Sequence, residues 1–104
     1  AIGRLTADFG GVAVLKGAHS LVLRAGGTPW VCDRGNPGMA SAGMGDVLTG
    51  VIAALLAQFG SLERAAACGV LVHALAADAG ATRGERGLVA GDVVEALREC
   101  VNPR

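Results

Sequence analysis

Between residues 34 and 45 the chain is crowded with glycine and other small residues and shows no apolar period. At Gly45 it changes to a helical repeat, with Val47, Leu48, Val51, Ile52 and Leu55 on one face as far as Gln58. The run Asn36-Pro37-Gly38-Met39-Ala40-Ser41-Ala42-Gly43-Met44-Gly45-Asp46 therefore reads as an anion-binding turn at a helix start. Gly43 and Gly45 permit backbone conformations that a side chain blocks and bring N–H groups close to a ligand, while the helix behind them adds positive potential. Asp46 has two readings. It caps the helix start electrostatically; or, because a cap needs no flanking glycines, it is a base beside a phosphate site, aimed at a hydroxyl that receives a phosphoryl group.

The order of the flanking segments is that of an α/β layer. Residues 1–9 resemble the tail of a helix, and Gly10-Gly11 separates them from the apolar run 12–15, which predicts a buried strand. Residues 20–24 and 29–33 predict two more strands joined by the turn Ala25-Gly26-Gly27-Thr28, an antiparallel hairpin at the sheet edge. After the helix over 45–58, Gly60 is a stop and Ser61 an N-cap for a second helix over 62–79, apolar on nearly every side and so expected to be buried. Residues 80–87 read as a surface loop, followed by a last helix over 90–100 with Asp92 as its N-cap.

With 52% hydrophobic, 17% charged and 3% aromatic residues, the 104-residue chain suits flat helices packed on a sheet and is not disordered. Nine basic and nine acidic residues give a net charge of zero without long runs, which argues against nucleic acid or an anionic membrane as a partner. The apolar stretch 47–57 is too short to span a bilayer and the first residues lack signal-peptide features, so a cytoplasmic location is expected. Cys32, Cys68 and Cys100 are odd in number and lack redox or zinc spacing, which fits small buried thiols in a reducing compartment.

Several residues carry a structural reading beside a functional one. Lys16, at a strand end before a glycine, meets a phosphate or simply reaches solvent. His19 in a turn is a hydrogen-bonded surface group or a pocket lining, and His73 in an apolar helix is a satisfied core histidine rather than a ligand. Asn36 before Pro37 is read as a turn opener in preference to a phosphate contact. Asp78 and Arg83 read as surface groups. No carboxylate or histidine pair has metal-ligand spacing, and neither a P-loop nor a dinucleotide glycine motif is present.

The segment 36–39 running into Ala42-Gly43-Met44-Gly45-Asp46 resembles the signature of the ADP- or ATP-dependent NAD(P)H-hydrate dehydratases of the ribokinase-like superfamily. Val14-Leu15-Lys16-Gly17-Ala18-His19-Ser20 is similar to that family's nucleotide-contacting strand and turn, and Gly87-Leu88-Val89-Ala90-Gly91-Asp92-Val93-Val94 to its closing segment. The resemblance implies the C-terminal half of a three-layer α/β/α domain, with a mixed sheet and an antiparallel edge hairpin, so residues 1–104 read as one partial nucleotide-binding domain. It further implies that Lys16, Gly17, Ala18, His19, Ser20 and Gly45 bind the nucleotide, that Gly43, Met44 and Gly45 form the phosphate loop, and that Asp46 is the catalytic base against the substrate hydroxyl. The implied co-substrate is ADP, favoured over ATP, with Mg2+ carried on it, and the implied substrate is hydrated NADH or NADPH. One departure is Met44, where the family more often has threonine, removing a hydroxyl near the implied phosphate position. Two other functions share these motifs: a small-molecule kinase of the same superfamily, and a nucleotide-binding fragment without catalysis. A missing half would leave a sheet edge and a helix face uncovered, which predicts a partner half-domain or self-association.

Overall fold

Short runs of β-branched residues and leucine form a sheet, and alanine-rich helices pack on one side of it. The computed structural model describes residues 12–15, 20–24, 29–40 and 42–102. Strands β1 (Val12–Leu15), β2 (Ser20–Arg24) and β3 (Trp30–Cys32) lie side by side in chain order, and both pairings are antiparallel. The expected edge hairpin is present, with its second strand trimmed at both ends. The helix expected over residues 1–9 and the turn at 25–28 fall outside the described residues.

Register decides which side chains meet the helices. Val14 pairs with Val22 and Val22 with Trp30, so these three share one face with Val12 and Cys32. That face packs with Leu48, Ala66, Val70 and Ile52 to make one of two core clusters. The alternate positions Ala13, Leu21, Leu23 and Val31 point to the opposite face, where Val31 is 61% exposed.

Helix α1 (Met44–Phe59) ends at Gly60, whose φ of +70° forms a left-handed cap with its N–H donated to the Leu56 carbonyl. Helix α2 (Leu62–Gly80) begins at Ser61, whose hydroxyl accepts from the Arg64 N–H, as expected of an N-cap. The two helices approach closely at Gly69, where an added Cβ would lie 2.6 Å from Ile52 Cγ1. α2 buries Ala65, Ala66, Gly69, Val70, His73, Ala74, Ala76 and Ala77, whereas Leu62 and Leu71 stay exposed. The expectation of burial on every side is thus corrected: the buried stripe is mostly small residues, which let neighbouring elements come near, together with Val70 and His73, and Leu62 and Leu71 lie outside it. Leu62–Arg83 is long and apolar enough to cross a bilayer by length and composition, but its alanine stripe makes it the central helix of this core.

Helix α3 (Ala90–Val101) packs on α2 and completes the second cluster, built from Met44, Ala76, Ala77, Leu88 and Val93. Asp92 is not its N-cap. It stands in the first turn and reaches back, accepting from the Val89 N–H at 3.0 Å. A short 3-10 turn (Ala81–Arg83) begins the 80–87 segment, so that stretch is more ordered than a plain loop, although residues 82–87 are exposed.

Candidate active site at the start of α1

The link from β3 to α1 is built by hydrogen bonds rather than by apolar packing. Asn36 accepts from the Met39 N–H at its carbonyl and from the Gly38 N–H at Oδ1, which winds Pro37–Ala40 into a 3-10 turn. The expected role of Asn36 as turn opener holds. Gly38 has no room for a side chain: an added Cβ would sit 2.8 Å from the Asn36 Oδ1 and from the Glu85 carbonyl. Asp78, expected at the surface, is half-buried instead and holds this loop. Its two carboxylate oxygens accept from the Gly35 N–H at 3.0 Å and the Asn36 Nδ2 at 2.9 Å. The sequence signal was there, since Asp78 is a carboxylate within an apolar helix and has no cationic residue three or four positions away.

Gly43 then turns the chain into α1 with φ +85°, a left-handed conformation that favours glycine. The first bond of the helix runs from the Val47 N–H to the Gly43 carbonyl at 3.1 Å, leaving the N–H groups of Met44, Gly45 and Asp46 ahead of the ladder. These amides and the helix dipole make the start of α1 a place for an anion. Gly45 adopts helical backbone, so its use lies in exposing the amide and not in a special φ. The Thr49 hydroxyl donates to the Gly45 carbonyl at 2.9 Å and ties down this first turn.

Asp46 is exposed on that turn, and among the described residues no hydrogen bond or ion pair takes up its carboxylate. Met44 points the other way. Its side chain is 2% exposed, within the cluster of Ala76, Ala77, Leu88 and Val93. At position 44, where the resemblance implied a lost hydroxyl, the methionine side chain fills the core.

Lys16, Gly17, Ala18 and His19 lie outside the described residues. Ser20, half-buried, opens β2 opposite Cys32, and Leu15 pairs with Leu21. The end of β1, the start of β2 and the exit of β3 thus share one end of the sheet, the end from which the loop to Asp46 departs. The three cysteines are half-buried and not joined in a disulfide, and no cluster of three or more His, Cys, Asp or Glu able to hold a metal occurs among the described residues. A recess of about 480 Å³ lined by Leu75, Ala79, Thr82, Glu99, Cys100 and Asn102 lies between α2 and α3 and includes none of the candidate residues.

The family model of NAD(P)H-hydrate dehydratase matches residues 1–99. The chain belongs to the NAD(P)H-hydrate dehydratase family. Among its relatives, a bifunctional NAD(P)H-hydrate repair enzyme of Vibrio cholerae is 54% identical over 103 residues, 98% of this chain and 21% of that protein. An ADP-dependent (S)-NAD(P)H-hydrate dehydratase of Neisseria meningitidis is 41% identical over 103 residues, 94% of this chain and 34% of that protein. The chain therefore spans between a fifth and about a third of these relatives. An ADP/ATP-dependent NAD(P)H-hydrate dehydratase of Bacillus subtilis, crystallised with ATP/Mg2+, superposes with a TM-score of 0.87 at 26% identity, covering 94% of this chain and 36% of that one. A ribokinase-like superfamily protein of Enterococcus faecalis gives 0.79 at 32% identity over 98% of this chain. The fold is accordingly part of a ribokinase-like α/β domain.

Proposed function

We propose that residues 1–104 form the nucleotide-binding part of one ribokinase-like domain, and that the protein carrying them repairs hydrated NADH or NADPH at the expense of ADP or ATP. The reading is carried by one observation: an exposed carboxylate, Asp46, stands in the first turn of a helix opened by a glycine turn of φ +85°, beside the amides that precede the Val47–Gly43 bond. Family membership supports the reaction, and the ADP-dependent Neisseria relative supports ADP as donor.

In this reading Asp46 takes the proton from the ring hydroxyl of the hydrated nicotinamide as its oxygen bonds to the terminal phosphorus of the nucleotide. The bond from that phosphorus to the departing nucleotide breaks, and AMP leaves when the donor is ADP. The C–O bond of the new phosphate ester then breaks, a proton leaves the adjacent ring carbon, and the double bond returns with release of inorganic phosphate. The amides of Met44 and Gly45 stabilise charge on the phosphoryl oxygens as it moves. Lys16, Gly17, Ala18, His19 and Ser20 hold the nucleotide, a role supported by the shared sheet end of Leu15, Ser20 and Cys32. Mg2+ in this scheme arrives on the nucleotide phosphates and neutralises their charge. A soluble enzyme of the cytoplasm fits such a substrate.

The test is turnover of hydrated NADH with ADP by the protein carrying this chain. Asp46→Asn is expected to lower kcat by about a hundredfold to ten-thousandfold while calorimetry still shows ADP binding. Unchanged turnover in that variant removes Asp46 from the chemistry. Product analysis separates the reaction from a kinase, which would leave a stable phosphorylated product and release no phosphate.

A further inference from the structure

We propose that Asp78 is a positioning residue for this site, a latch on α2 that sets the approach of the 35–43 loop and through it the start of α1. The proposal rests on the reading of Asp46 and its neighbouring amides given above. Asp78 lies far from residues 35 and 36 in sequence yet bonds to both, through separate oxygens. Asn36, held at its Nδ2 by Asp78, uses its own Oδ1 and carbonyl to bind the Gly38 and Met39 amides. One carboxylate therefore governs a chain of four hydrogen bonds that shapes the turn before Gly43. The same stretch of α2 supplies the second anchor. Met39 packs against the cluster of Met44, Ala76 and Ala77, and an added Cβ at Gly35 would meet Met39 Sδ at 2.7 Å and Ala74 Cβ at 3.7 Å. The loop is thus pinned at Asn36 and Met39, seven residues or fewer before the glycine that opens α1, on a helix that makes no other contribution to the site.

The donor and acceptor pattern makes the latch directional. A carboxylate accepts at both oxygens, as Gly35 N–H and Asn36 Nδ2 require, whereas an asparagine of the same shape offers one acceptor and one donor. In Asp78→Asn, one partner faces a donor in place of an acceptor, with volume unchanged. Exchanging the two residues restores the pattern. With Asp78→Asn and Asn36→Asp together, the amide oxygen at 78 accepts from Gly35, its NH2 donates to the carboxylate at 36, and the other oxygen of that carboxylate accepts from Gly38.

The experiment compares wild type, Asp78→Asn, Asn36→Asp and the exchanged pair in the protein carrying this chain. It reads kcat and KM for ADP, together with amide hydrogen exchange at Val47, whose N–H bonds the Gly43 carbonyl at the start of α1. The single variants are expected to lose about tenfold to a hundredfold in kcat, since displacements near 1 Å have that effect, with KM for ADP changing less, and to exchange Val47 faster. The exchanged pair is expected to regain both. Single variants with wild-type kcat and Val47 exchange overturn the proposal, as does an exchanged pair no better than either single variant; if a single variant fails to fold, the pair alone decides. Wild type that neither binds ADP nor turns over refutes the proposed function, and Val47 exchange across the four proteins then decides the latch by itself.

Discussion

Position 44 shows how little a residue's place in a motif says about where its side chain goes. Met44 stands between two glycines in the candidate phosphate loop, yet it is one of the most buried residues of the α1–α2–α3 core. Its N–H points along the helix axis toward the N-terminus while its side chain projects outward from the axis into the core, so the two face different surroundings. Met44→Ala is expected to cost about 2–5 kcal/mol of stability while leaving ADP affinity near wild type; a thermal melt and a calorimetric titration check the two halves of this statement. A loss of affinity without loss of stability would put the side chain in the site. The turn at Gly43, the helix start and Asp46 were legible in the sequence because each is local: glycine spacing and the onset of a helical period are enough. The bonds of Asp78 were not, because their partners are 42 and 43 positions away.

Among the elements, α2 does the most with the least side-chain volume. Its stripe of alanine and glycine brings α1 close enough for Gly69 to lie under Ile52, and strands β1 to β3 all rest on the same helix. Gly69→Ala places a methyl 2.6 Å from Ile52 Cγ1, and a β-branched side chain has few alternative rotamers to relieve it. The expected outcome is a loss of about 1–3 kcal/mol, read as a lower midpoint in denaturant with an unchanged slope. A variant as stable as wild type would mean that α1 and α2 slide apart freely. The ends of the elements came out as the caps predicted, at Gly60 and Ser61, because capping is chemistry between neighbours. The exception at Asp92 arises because an aspartate two residues inside a helix can still reach the N–H of the cap position.

At the scale of the whole molecule, the sheet has unequal faces. One is packed by the helices; the other carries Ala13, Leu21, Leu23 and the exposed Val31, apolar at every one of these positions. Residues 1–104 on their own are therefore expected to self-associate through this face, and Val31→Lys to shift the sedimentation profile toward monomer by placing a charge on its β3 edge. Sedimentation unaffected by the lysine would assign any association to another surface, such as the exposed Leu56, Phe59 and Leu62 near the α1–α2 turn.

What the sequence by itself determined is the set of features that depend on a few adjacent residues: three strands and three helices in order, the hairpin, the caps, the left-handed turn and the acid beside it. Steric limits on φ, helical period and cap chemistry act over one or two turns of chain, so they are visible without coordinates. Only the tertiary structure decided which face of α2 is buried, that Met44 belongs to the core, and that Asp78 grips Asn36. Those depend on which distant segments share a face. That is set by packing of the whole core, where small residues admit close neighbours and a carboxylate remains only if donors come to meet it.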